Sequence, residues 1–230
     1  MSANEKILIT GASGYLGNGL CEYFAKAGFQ VIGVSNSNEG AFPTIKADLS
    51  KPGSVKELLS EVKNSYGNID HIINNAARQD VALLKNETPE QISQFFQVNV
   101  SAIAEVYAEI AKTNYGVKSV INISSIEAVS PRPGHAIYGA TKAALEALTK
   151  SAAVEITPIR SNFLRLGLIG REGIERAWPE GVSAWKSAAP LKAMGKIDDV
   201  AKAIEYLLAA NWVTGSGITL DGGISVSANW

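Results

Sequence analysis

Cysteine is almost missing from this chain of 230 residues, where Cys21 stands alone. A single thiol excludes an internal disulfide and fits a reducing compartment, so a cytoplasmic protein is expected. Cys21 falls within the first helical pattern and reads as a small buried hydrophobe. Histidine is nearly as scarce, and His71, His135 and the lone cysteine are too few and too scattered for a metal cluster. No apolar run approaches the ~20 residues that span a bilayer. Charge of neither sign is in excess: 21 basic against 22 acidic residues leave −1, which argues against a nucleic-acid or anionic-membrane partner. There is no linker, repeat or low-complexity segment, and residues 1–6 run directly into a strand pattern, so no signal peptide is expected. A chain of this length buries roughly three quarters of its unfolded surface and needs no covalent staple.

What is present is an alternation. Lys6–Ile9 reads as a buried strand, and residues 14–27 as a helix closed by Gly28. Strand patterns follow at Val31–Val34 and Thr44–Lys46. Pro52–Tyr66 is an amphipathic helix with Val55, Leu58, Leu59 and Val62 on one face. After a strand at His71–Asn74 the spacing predicts one long helix from about Pro89 to Thr113. Val117–Ile123 is the next strand, Ala136 to about Ile156 a helix, Ser161–Leu166 a strand, Ile197–Ala210 a helix and Ile218–Leu220 a last strand. Such alternation predicts an α/β fold, a doubly wound Rossmann-type parallel sheet of about seven strands with helices on both faces. Residues 1–230 are expected to form a single dinucleotide-binding and catalytic domain. One irregular insertion near 168–192, with Trp178, Pro179, Trp185 and Pro190, is expected to lie over the active site.

The segment Thr10-Gly-Ala-Ser-Gly-Tyr-Leu-Gly17 joins the first strand to the first helix. Gly11, Gly14 and Gly17 let the backbone turn tightly and approach a pyrophosphate, and the helix offers its free N–H groups to the anion. Gly11, Ser13, Gly14, Tyr15, Leu16 and Gly17 are therefore candidate cofactor contacts. An acidic residue at the end of the second strand would bind a ribose 2′-hydroxyl. The sequence there is Val34-Ser-Asn-Ser37, with no carboxylate. Ser35 and Asn36 can donate to a 2′-phosphate, which favours NADP, with NAD the alternative. No arginine stands beside them to clamp a phosphate, and Ser35–Ser37 also reads as a plain polar turn. Asp48, followed by Leu49, is placed to accept from an adenine amino group; the alternative is a cap for the next helix.

Tyr138 and Lys142 stand four residues apart, on one helix face, and Ser125 lies thirteen positions before the tyrosine. A lysine ammonium nearby favours the phenolate and lowers the pKa of a tyrosine, which can then exchange a proton with a substrate oxygen. Ser125 follows the fifth strand, at the carboxyl edge where ligands bind, ready to hold a carbonyl or alcohol oxygen.

These residues bring the chain to a known family. It resembles the short-chain dehydrogenase/reductases, in their compact single-domain branch, over nearly its whole length. The resemblance runs through the glycine turn, Asp48-Leu49, Asn74-Asn-Ala-Ala77, Asn99 in Val98-Asn-Val100, Ser125, Tyr138 and Lys142, then Pro190-Leu191, Asp199-Val-Ala201, Thr214-Gly215 and Asp221-Gly-Gly223. It implies Tyr138 as the acid–base residue, Lys142 lowering its pKa and binding the nicotinamide ribose, and Ser125 polarising the substrate oxygen. It implies Asn99 at a helix kink, holding a water of a proton relay. Asn75 and Ala76 would line the ribose, and Gly167 and Ile169 would meet the nicotinamide. It also implies a homotetramer joined through helices 89–113 and 136–156 and the C-terminal strand ending at Trp230. Three features depart from the family pattern. The glycine spacing is that of its extended branch, with Tyr15 where glycine is usual. Leu166-Gly167 replaces Pro-Gly, and only twelve residues separate Ser35 from Asp48, so the helix usual there is absent or vestigial.

The reading is an NADP-preferring oxidoreductase that interconverts a secondary alcohol and a ketone or related carbonyl, without a metal. His135, Trp178 and Trp185 are candidate substrate contacts, the tryptophans as an apolar lid or as packing. Arg78, Gln79 and Asp80 belong to a rim loop, and His71 reads as structural. Two alternatives remain: a non-redox epimerase or dehydratase of the same fold, and a cofactor-sensing protein without turnover.

Overall fold

Strands that are apolar at successive positions must be covered on both faces, and here they are. The computed structural model describes residues 4–36 and 42–227. Its chain runs β1 (Lys6–Thr10), α1 (Tyr15–Lys26), β2 (Gln30–Ser35), β3 (Thr44–Lys46), α2 (Ser54–Tyr66) and β4 (His71–Asn74). Then come α3 (Pro89–Phe96), a π segment (Gln97–Ser101), α4 (Ala102–Lys112), β5 (Ser119–Ser125), α5 (Ala136–Glu155) and β6 (Arg160–Leu166). The last elements are α6 (Ile174–Ala177), α7 (Pro179–Ala188), α8 (Ile197–Ala209) and β7 (Gly217–Leu220). The seven strands pair in parallel in the order β3-β2-β1-β4-β5-β6-β7.

Side chains of β1 alternate between the two faces. Ile7 and Ile9 join Leu20, Phe24, Ile204 and Leu207 in a core beneath α1 and α8. Leu8 points the other way, into Leu59, Val62, Val106 and Leu145 beneath α2, α4 and α5. The strand order reverses between β1 and β4, so the chain diverges at their carboxyl ends and leaves a crevice there.

Three expectations need revision. The predicted long helix is two helices separated by the π segment, because one extra residue is accommodated at Asn99. The 168–192 stretch is not irregular: Pro179 sits at the start of α7, and Val182 and Trp185 are buried from one face of it. The helix predicted from Pro52 begins at Ser54, because Gly53 takes a left-handed conformation (φ 82°) that no right-handed helix includes. Ser37 and Trp230 lie outside the described residues.

Helix α5 is seated by polar ties. Asn122 of β5 accepts from Asn74 (2.8 Å) and donates to the hydroxyls of Tyr107 (2.7 Å) and Thr149 (2.8 Å). Ser124 donates to Glu146 on α5 at 2.7 Å, and Arg165 of β6 closes on the same carboxylate at 2.5 Å. All of these residues except Arg165 are buried, so losing one partner strands the others. The ties fix how α5 presents its first turns to the crevice.

Candidate active site

Thr10 ends β1 and anchors the turn that follows: its hydroxyl accepts from the backbone N–H groups of both Asn75 and Ala76 at 3.0 Å. The Asn75 amide donates to the Thr10 carbonyl at 3.0 Å. The turn is too tight for side chains at two positions. A Cβ on Gly17 would collide with the Gly11 carbonyl oxygen, and Gly11 has φ 69° with Ala76 Cα 2.9 Å from where its Cβ would sit. Gly14 caps α1 without a side chain, so the first N–H groups of the helix face the crevice. This is a cradle for an anion that approaches the backbone closely.

One cleft of about 950 Å³ runs from this cradle along the carboxyl edge of the sheet. Gly11, Ser13, Gly14, Tyr15, Leu16 and Gly17 line it, as do Ser35, Asn36, Asp48, Leu49, Asn75 and Ala76 at the far side. Ser35 donates to Ser13 at 2.7 Å, tying the end of β2 to the glycine turn. Asp48 accepts from the N–H and hydroxyl of Ser50 at 3.0 and 2.6 Å, which holds its pKa below the usual range. It does not cap α2, whose first turn begins after Gly53.

Toward β5 and β6 the same cleft is lined by Ser125, Tyr138, Lys142, Gly167, Ile169, Trp178 and Trp185. Ser125 ends β5, and its hydroxyl accepts from the Glu127 backbone N–H at 3.2 Å. Lys142, 2% exposed, donates to the Ile123 carbonyl at 2.7 Å. Burial brings its pKa down to about 8. Its Nζ is 5.5 Å from the Tyr138 ring centroid. The net direction for the tyrosine is upward here, and the lysine is not among its causes. Burial pushes the Tyr138 pKa well above the usual phenol value, and the Glu127 charge adds to it; the Ser125 hydroxyl and Arg132 oppose it. The ammonium is committed to a carbonyl of β5.

Asn99 does not line the cleft. It is fully buried, and its side chain is spent on structure: Oδ1 accepts from Arg78 N–H at 2.8 Å, and Nδ2 donates to the Arg78 carbonyl (3.0 Å) and to Thr141 (2.9 Å). The kink expected at this position is the π segment. His135 also stands behind the wall, in edge contact with the Tyr138 ring. The two tryptophans differ in exposure. Trp185 is buried against Ile126, Ala189 and Ile224, and its Nε1 donates to Ala193. Trp178 is 40% exposed and carries the Arg132 guanidinium 5.1 Å from its ring. Arg78, Gln79 and Asp80 do line the cleft, and His71 is buried against Ser119.

Glu127 and Arg132 were not singled out from the sequence. Glu127 is buried two residues past Ser125, with Oε1 3.2 Å from Arg132 and Oε2 3.0 Å from His135 Nδ1. Burial raises its pKa against the pull of Arg132. The available signal was three ionisable residues, Glu127, Arg132 and His135, crowded between Ser125 and Tyr138.

Comparison with known proteins is consistent over almost the whole chain. A family described as enoyl-(acyl carrier protein) reductase matches residues 11–225. A 3-oxoacyl-(acyl-carrier-protein) reductase of Thermotoga maritima is 30% identical over 240 residues, covering 95% of this chain and 97% of its own. An L-xylulose reductase of Caenorhabditis elegans is 28% identical over 241 residues, covering 96% of each. Among solved structures, a 4-hydroxyisoleucine dehydrogenase complexed with NADH is similar with TM-score 0.88 at 28% identity, covering 97% of this chain and 99% of that one.

Proposed function

Because the chain belongs to the short-chain dehydrogenase/reductase family and is an NAD(P)-dependent oxidoreductase, we propose that it interconverts a secondary alcohol and a ketone or related carbonyl, with Tyr138 as acid–base residue. The observation that carries this reading is that Ser125, Tyr138 and Lys142 line the same cleft as the glycine cradle. A nicotinamide bound there supplies or takes up the hydride. Gly11–Gly17 would hold its pyrophosphate, Ser35, Asn36, Asp48 and Leu49 its adenosine, Asn75, Ala76 and Lys142 its ribose, and Gly167 and Ile169 its reactive ring. Ser125 holds the substrate oxygen against Tyr138, and the phenol gives up its proton as that oxygen gains charge. Relatives named as reductases and dehydrogenases set the non-redox reading aside.

NADP is the preferred cofactor in this proposal, because β2 ends without a carboxylate and Ser35 and Asn36 line the adenosine end. Residues 1–230 act as a single domain in the cytoplasm, with 168–192 as the substrate lid. The unit is a homotetramer; exposed Val154 on α5 and Trp212 and Val226 near the C-terminal strand support apolar contacts between copies. Light scattering in solution reads that assembly. The enzymatic proposal is tested by following NADPH and NADH oxidation with ketones, quinones and sugar-derived carbonyls. No turnover of either cofactor with any of them, in either direction, would remove it.

A further inference from the structure

Ser35 and Asn36 offer a 2′-phosphate neutral donors only, whereas a dianion binds more strongly to a donor that carries charge. The strand that places such a charge is β3, at the edge of the sheet. It pairs with β2 in parallel, with Gly33 opposite Thr44, Val34 opposite Ile45 and Ser35 opposite Lys46. The Ala47 N–H donates to the Ser35 carbonyl at 2.9 Å and carries the pairing past Lys46. Residues opposite one another on neighbouring strands share a face and stand about 5 Å apart. Val34 and Ile45 are buried in the core beneath α2, α4 and α5, so Ser35 and Lys46 project from the other face. On that face Ser35 donates to Ser13 of the glycine turn at 2.7 Å. A Cβ on Gly33 would lie 2.9 Å from Ala12 Cβ and 3.0 Å from Thr44 Oγ1. Thr44 and Lys46 therefore stand on the side of the sheet from which the glycine turn and α1 rise.

We infer that Lys46 is a cofactor-specificity residue: with Ser13, Ser35 and Asn36 it recognises the 2′-phosphate that distinguishes NADPH from NADH. Its side chain is exposed, and its ammonium has no carboxylate partner among the described residues. The acid just beyond it, Asp48, is engaged elsewhere: it accepts from Ser50 and lies 3.9 Å from Lys51 Nζ. Ala47 and Leu49 pack toward α2 and α4. An adenine that rests on Asp48 and Leu49 takes that face and leaves the ribose 2′ position toward Ser35 and Lys46. The lysine brings a point charge on a flexible four-carbon stem, while the hydroxyls and the amide supply direction. A lysine on an edge strand also discourages pairing with another chain. That role is indifferent to which cofactor binds, so binding separates the two.

The inference rests on the reading of the enzyme as NADP-preferring. Its test is fluorescence titration of the full chain with NADPH and with NADH. Lys46→Met keeps the apolar stem and removes the charge. It is expected to raise the NADPH dissociation constant about tenfold and to leave the NADH value within about twofold. Lys46→Arg keeps the charge and is expected to retain the preference for NADPH. A chain that binds NADPH more tightly than NADH, with the ratio unmoved by Lys46→Met, would remove the inference and leave the cofactor reading standing. Equal weakening of both cofactors in Lys46→Met, or a loss of NADPH in Lys46→Arg as large as in Lys46→Met, would also overturn it. Tighter binding of NADH by the unsubstituted chain would remove the NADP reading and this inference with it.

Discussion

At the end proposed for adenosine the cleft is walled mainly by backbone and small neutral side chains, with Asp48 beside them: the Gly11–Gly17 turn, the Ser13–Ser35 hydrogen bond and Asn36. At its reacting end it is walled by ionisable groups: buried Glu127, Tyr138 and Lys142 and half-buried Arg132, with His135 behind them. The first end recognises by shape and main-chain donors, which cost little to bury because the turn satisfies itself. The second stores charge in a low-dielectric place, where each ionisable group is costly and sensitive to its neighbours. Substitutions at the first end should therefore change which cofactor binds and how tightly. Substitutions at the second should change proton chemistry, pH dependence and stability.

The largest effect that tests this division is Tyr138→Phe. Loss of carbonyl reduction by about a thousandfold is expected, with cofactor affinity unchanged by fluorescence titration; weakened binding would erase the distinction between the ends. Gly17→Val should do the reverse. It fills the cradle, so the dissociation constant for the reduced cofactor is expected to rise about a hundredfold, ~2.7 kcal/mol.

Lys142→Met sharpens the contrast through stability. Burial holds the folded-state pKa of Lys142 at about 8, below the ~10.4 of a free lysine. Between these values the unfolded chain binds a proton that the folded chain does not, so stability rises with pH there. At neutral pH the folded state bears the full cost of the buried charge. The variant is expected to lose activity yet unfold at higher temperature at pH 7, by the equivalent of about 2 kcal/mol. That gain should shrink as pH climbs from about 8 toward ~10.4. A gain that does not vary with pH would separate it from the ammonium. The smallest effect belongs to Asn36→Asp. A carboxylate at the end of β2 repels a 2′-phosphate and accepts from a 2′-hydroxyl, so the NADPH/NADH ratio of kcat/KM should fall about tenfold.

The sequence made the fold legible because its signals are local. Apolar runs, helical spacing and the glycine turn each report on a few neighbouring residues, and the sheet agrees with them strand by strand. Ser125, Tyr138 and Lys142 were legible as a spacing, and the cleft they line follows from the fold. The π segment was not, since one extra residue barely disturbs a helical period over residues 89–113. Helices α6 and α7 were hidden because their apolar positions are few and interrupted by Gly181 and Pro179. The direction in which the Lys142 ammonium points, and the field of Glu127 on Tyr138, depend on burial and on contacts across the chain, which no spacing reports.

Asn99 binds the peptide of Arg78 from both sides and reaches Thr141, which in turn donates to the Tyr138 carbonyl at 2.7 Å. One amide thereby couples the loop after β4 to helix α5 as a single stiff jaw. An engineer who wants this scaffold to accept a different molecule should leave that jaw alone and redraw the helical segment between Leu168 and Lys192, which is proposed to cover the substrate.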